Sequence, residues 1–186
     1  MSKPTFDQMA EFFRQVEAGR VTRGNFQDYL RNPSGFGAGQ GVVSYDQSIG
    51  LRALIERAVG LGNFGNISGD ITQERFPLQG TSVRTVKLAV EPYRNGETSE
   101  QAAERLLVAG HKLANTGDLA GFLHDHPEEV EKWARVLAIS EDSRWTHPDG
   151  RVCVPCADVD GARRYFYLYD FRDQLSANYG ALVLGE

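Results

Sequence analysis

Apolar positions along the chain recur with two different periods, and the change between them divides the sequence. Phe6, Met9, Phe12, Phe13 and Val16 return at intervals of three and four residues, the spacing that gathers side chains on one face of an α-helix. Gly19 predicts its stop. Thr22 is placed to cap a second short helix carrying Phe26, Tyr29 and Leu30, closed by Asn32-Pro33. The run from Ser34 to Gly41 holds too many glycines for regular structure and reads as a loop. Leu51, Leu54, Ile55 and Ala58 then predict a third helix that ends at Gly60.

Beyond Asp70-Ile71-Thr72 the pattern shifts toward alternation. From Ser82 to Val90, Arg84, Val86, Leu88 and Val90 fall on one side and Val83, Thr85, Lys87 and Ala89 on the other, which predicts a half-buried strand. Asn95-Gly96 breaks it. Thr98 followed by Gln101 forms a capping box for a helix through Leu106 and Leu107, ending at Gly110. Thr116 is the expected cap of the next helix, with Leu119, Phe122 and Leu123 inward. Pro127 suits the first turn of another, where Glu128 and Glu129 also favour the helix dipole. Strands follow at Val136–Ile139, Arg151–Ala157, Arg163–Phe171 and Gly180–Leu184, with turns at His147-Pro148-Asp149-Gly150 and Asp160-Gly161. The expectation is an α+β protein: a helical region over residues 1–69 with a Gly-rich loop, and an α+β domain over 70–186 ending in an antiparallel β-meander.

Charge narrows the partners. A formal net charge of −5 with no run of Lys and Arg argues against nucleic acid, whose phosphates demand a basic face. No stretch reaches the ~18 uninterrupted apolar residues of a membrane span. Met1 to Asp7 lack the apolar core of a signal peptide, and two cysteines make no disulfide framework. A cytoplasmic setting is expected.

The motifs that suggest chemistry are incomplete. Gly60-Leu61-Gly62-Asn63-Phe64-Gly65 has dinucleotide-binding spacing but follows a helix instead of a strand, and position 85 carries Thr where an acid belongs. Cys153-Val154-Pro155-Cys156 has no second pair, and residues three apart on a regular strand point to opposite faces. The histidines of His124-Asp125-His126 are two apart and do not face each other on a helix. No cofactor, metal or catalytic group is assigned. A small intracellular enzyme pairing Cys153 or Cys156 with His147 stands as an alternative, as does an interaction scaffold acting through the N-terminal helices.

One segment is more informative. In Arg163-Arg164-Tyr165-Phe166-Tyr167-Leu168-Tyr169-Asp170-Phe171, a two-residue period puts the three tyrosines on one face and Phe166 and Leu168 on the other. The following Arg172 to Tyr179 stretch mixes Asp, Gln, Ser, Asn and Tyr, a composition typical of binding loops. The tyrosines either form an open aromatic platform or lie beneath the N-terminal helices with their hydroxyls at the rim.

Two resemblances rest on further residues. Asp70-Ile71-Thr72-Gln73-Glu74-Arg75-Phe76-Pro77, together with Leu119–Leu123, His126-Pro127-Glu128 and Ser143-Arg144-Trp145, resembles a family of uncharacterised proteins of candidate-phyla (Patescibacteria) bacteria. The order of elements from Ser82, with Gly110-His111-Lys112-Leu113-Ala114 before the second helix, is similar to the C-type lectin fold. The disulfide cysteines and the Glu-Pro-Asn, Gln-Pro-Asp or Trp-Asn-Asp calcium motifs of secreted lectins are missing. Disulfide-free versions resemble the variable proteins of diversity-generating retroelements, which display ligand contacts near the C-terminus. The resemblance implies a non-enzymatic binding module for a protein or small ligand, contacting it through Arg163, Tyr165, Tyr167, Tyr169, Asp170, Arg172, Asn178 and Tyr179.

Overall fold

A computed structural model describes residues 41–60 and 66–185. The expected helices between Phe6 and Leu30, the Gly-rich loop before Gly41 and residues 61–65 of the glycine motif lie outside them. The described residues belong to one compact unit. The boundary expected at residue 70 falls inside this unit, because β1 (Gly41–Asp46) and α1 (Leu51–Val59) share its core.

The local signals produce the elements they predict. α1 buries Leu51, Leu54, Ile55, Ala58 and Val59, and Arg164 Nη1 donates to the Ala58 carbonyl at 2.9 Å, satisfying an acceptor that the helix end leaves free. β2 (Val83–Pro92) alternates as expected. Val86, Leu88 and Val90 face one core, while Ala89 faces another. β3 (Glu97–Thr98) leads into α2 (Ser99–Val108), where the amide of Gln101 donates to Thr98 Oγ1 and the amide of Thr98 donates to Gln101 Oε1.

After β4 (Lys112–Leu113), helix α3 (Thr116–Asp125) departs from expectation in one respect. Its cap is Asn115, not Thr116. Asn115 has the better capping side chain and an acid three residues on, so the reciprocal pair forms with Asp118. α4 (Pro127–Val130) starts at its proline.

Eight described strands form one sheet in the order β1-β2-β10-β5-β7-β6, with β4 also on β10 and β8 on β7. β5 is Arg135–Leu137, β6 Trp145–Thr146, β7 Val152–Asp160, β8 Arg163–Asp170 and β10 Tyr179–Leu184. β9 (Gln174–Leu175) pairs separately with β3. β7 and β8 make the expected hairpin. The last strand does not extend a meander: it returns to the middle of the sheet, antiparallel to β2 and parallel to β5. Its sequence explains the move. Gly180, Ala181, Leu182 and Val183 are all buried, and a strand apolar on both faces needs neighbours on both edges and cover on both sides.

The sheet therefore separates two cores. Leu182, Val136, Ala157 and Phe166 pack with α1 and α3 on one face. Ala181, Val183, Leu137, Cys156 and Val154 pack with Ala102, Ala103 and Leu106 of α2 on the other. α3 lies close on β1 because Gly117 and Gly121 face Tyr45 and Val43 with no room for a Cβ. Asp118, whose side chain is 1% exposed, bolts this packing together. It accepts from Tyr45 Oη at 2.9 Å, from Arg84 Nε and Nη2 at 2.8 and 3.1 Å, and from the Asn115 amide at 3.1 Å. Among the described residues no helix is long and apolar enough to cross a membrane.

Replacing Asp118 with Ala strands the half-buried Arg84 guanidinium and removes the α3 capping box. The expected cost is about 3 kcal/mol, seen as a lower urea midpoint at unchanged m value. A loss below about 1 kcal/mol, the scale of an exposed pair, overturns its structural role.

Candidate ligand-binding site

Strand parity assigns Tyr165, Tyr167 and Tyr169 to the sheet face that carries α2, while Phe166 and Leu168 face the core under α1 and α3. The three tyrosines are half-buried. Tyr167 and Tyr169 pack their lower edges on the α2-side core, as does Tyr179 at the start of β10. The alternation read from sequence is therefore correct, and the rings are neither fully open nor fully covered by the described residues.

What gathers them is Arg135, the first residue of β5. It pairs in register with Tyr179 and has the same parity as core-facing Leu137, so its side chain runs over the tyrosine face. Its guanidinium carbon lies 5.4, 5.1 and 5.6 Å from the ring centroids of Tyr167, Tyr169 and Tyr179, within the reach of cation–π attraction. Nη1 donates to Tyr179 Oη at 2.9 Å, and Nε donates to Tyr167 Oη. The Tyr169 and Tyr179 rings are tilted against each other at 6.0 Å. Tyr167 Oη in turn donates to Asp158 Oδ2 at 3.4 Å.

The electrostatics follow from partial burial. Burial pushes the phenol of Tyr167 well above its usual range, and the neighbouring Cys156 pushes it the same way. Burial also raises Tyr169, helped by the Tyr179 hydroxyl. Both stay neutral and able to donate at neutral pH. Burial is the largest influence on Arg135 and pulls it down, but its bond to Tyr167 and the electrostatic pull of Tyr167, Tyr179 and Cys156 together hold it above its ordinary value. Burial raises the carboxyl of Asp158.

The eight expected contact residues divide into those the fold brings together and those it does not. Tyr167, Tyr169 and Tyr179 form the cluster. Tyr165 lies one step away, opposite Asp158 in the β7–β8 ladder. Asp170 ends β8 and Arg172 lies just beyond it, where Asp170 Oδ1 accepts from the Arg172 amide at 2.9 Å. Asn178, exposed, adjoins the cluster through the chain: its carbonyl accepts from the Ala134 amide at 2.7 Å, next to Arg135. Arg163 is exposed at the β7–β8 turn, about 23 Å of strand away from Asp170. Arg135 is not among the expected contacts: its place at the start of an apolar strand gives its parity, but not which strands it comes to lie beside.

Other motifs settle into structural places. The amide of Gly60 closes α1 by donating to Glu56. Cys153 and Cys156 are free and buried, and burial raises both thiols. Among the described residues no group of three or more His, Cys, Asp or Glu could hold a metal ion. A concavity of about 240 Å³ opens between β1, α1 and α3, beside Arg57, His124 and Asp125. It is smaller than a typical ligand pocket, its His124 Nδ1 already contacts Asp125 Oδ1 at 2.6 Å, and none of the eight expected residues lines it.

The buried thiols lead to a measurable expectation: in the native protein neither cysteine reacts promptly with a disulfide reagent near pH 7, and both react on unfolding. A fast native phase restores the cysteine–histidine reading. Comparison with protein-family models, with curated proteins and with solved structures found no match for this chain.

Proposed function

We propose that this protein is a non-enzymatic binding module that receives its ligand at the Arg135–tyrosine cluster and the polar loop beside it. One observation carries the reading: three tyrosine rings from two strands converge half-exposed on one guanidinium. Tyrosine offers a large contact area at little entropic cost, and the exposed Arg172, Asp173, Gln174, Ser176 and Asn178 add adaptable hydrogen-bonding groups. The raised thiols of Cys153 and Cys156 lend no support to the cysteine enzyme.

The scaffold is of C-type-lectin-like kind in this reading. Its support is the antiparallel pairing of β2 with the final strand β10, with α2 and α3 between them in sequence. The segment from Gly110 to Ala114 links those helices and pairs with β10 through Lys112 and Leu113. A retroelement-diversified display protein would place its variable positions where the cluster and the 172–178 loop lie. The test of that finer reading is in the DNA: adenine-rich codons over residues 143–179, beside a reverse transcriptase gene and a near-copy template, are expected, and their absence overturns it.

The binding surface itself is tested with Tyr169→Ala and Tyr179→Ala. Peptides selected on the wild-type protein from a displayed library are expected to lose about 2 kcal/mol or more of binding energy on either variant. Stability should fall by less than about 2 kcal/mol, because the rings are only half-buried. A loss of about 3–5 kcal/mol, the cost of truncating a buried aromatic, identifies the rings as core and removes the site.

A further inference from the structure

Among the described residues, the half-buried Arg75, Arg84 and Arg105 each meet a carboxylate, whereas Arg135 and Arg164 meet only uncharged oxygens. Arg84 meets Asp118 through Nε and Nη2, and Arg105 meets Glu97 in the same two-pronged way at 2.7 and 2.9 Å. Arg75 is paired with Asp70. Arg164 meets the end carbonyl of α1. Arg135 has only phenol oxygens, on Nε and Nη1. Among the described residues its Nη2 has no hydrogen-bond partner and its charge no carboxylate within ion-pair distance. A guanidinium N–H donates to a carboxylate oxygen in a charge-assisted bond, and such bonds are strong when partly desolvated.

The surroundings restrict what could complete the pair. Tyr179 Oη accepts from Arg135 and so keeps its own hydrogen to donate. The Tyr169 and Tyr179 rings beside it present flat apolar surface. Asp158, bonded to Tyr167, and Asp173, within electrostatic reach of Tyr169, oppose a second negative charge.

We infer that the Arg135–tyrosine cluster binds a monocarboxylate carried next to a flat or apolar group, the carboxylate on Nη2 of Arg135 and the apolar part against Tyr169 and Tyr179. This rests on the binding-surface reading above and adds the ligand's chemistry to it.

Titration of the full chain, followed by amide and tyrosine-ring NMR signals, tests the inference with three probes. Benzoate is expected to shift the resonances of Arg135, Tyr167, Tyr169 and Tyr179 saturably, and its binding to weaken as salt is raised. Neutral benzamide and doubly charged phenyl phosphate should bind at least about tenfold more weakly. Arg135→Gln should lose benzoate by at least about tenfold, and Arg135→Lys, which keeps the charge but cannot bond both tyrosines and the ligand through separate nitrogens, should also bind more weakly. Arg52→Ala, on the exposed face of α1, should bind as wild type does.

Equal binding of benzamide overturns the carboxylate assignment and leaves the aromatic surface standing. Phenyl phosphate binding more tightly than benzoate overturns the preference for a single charge. No response to any probe at the four residues overturns the inference outright, and the tyrosine truncations then decide separately whether the surface exists. Should Arg135→Gln fail to fold, Arg135→Lys and the salt dependence carry the same decision: benzoate binding indifferent to both overturns it.

Discussion

The structure depends on a strand that cannot tolerate an open edge or an uncovered face. β10 is buried along Gly180–Val183, and its two sides feed two different cores, Leu182 toward α1 and α3 and Ala181 and Val183 toward α2. Only a central position serves such a segment. Gly180 shows how tight the place is, since a Cβ there would collide with Val90 and press on Trp133. Because β10 must sit between β2 and β5, Tyr179 arrives opposite Arg135. The candidate site is thus a consequence of sheet order.

Charge has an architectural role under α3 and beside α2 and a different one at Arg135. Under α3, Asp118 draws Tyr45, Arg84 and the helix start into a single saturated network. Glu97 does a similar job near α2, where its bonds to Arg105 and to the Arg94 amide hold its carboxyl below the usual range. These pairs leave their arginines nothing further to do. Arg135 differs in kind. Its tyrosine neighbours satisfy part of its hydrogen-bonding capacity, and among the described residues no carboxylate lies within ion-pair distance of it.

The amino-acid sequence determined the local elements, because those follow from neighbours a few residues apart. The three- and four-residue spacing of Leu51, Leu54, Ile55 and Ala58, the Thr98–Gln101 box, the proline opening α4 and the alternation of β2 and β8 all appear as the pattern dictates. Two-residue parity alone put Tyr165, Tyr167 and Tyr169 on one face. Where two neighbouring residues competed for one role, as Asn115 and Thr116 did for the cap of α3, the outcome turned on which had the acid three residues away.

Tertiary structure alone decided which distant segments became neighbours. Nothing in the period of Tyr179–Leu184 says that it pairs with β5 and not with the strand just before it, because period sets which side chains share a face and leaves strand order free. That order, chosen by burying β10 on both sides, is what joined Arg135, Tyr167, Tyr169 and Tyr179 from three strands and left Arg163 at the far end of a hairpin. The tyrosine row was legible because it lies within one strand. Its arginine was not, because a contact across 32 and 44 residues is fixed by long-range packing that no local pattern records.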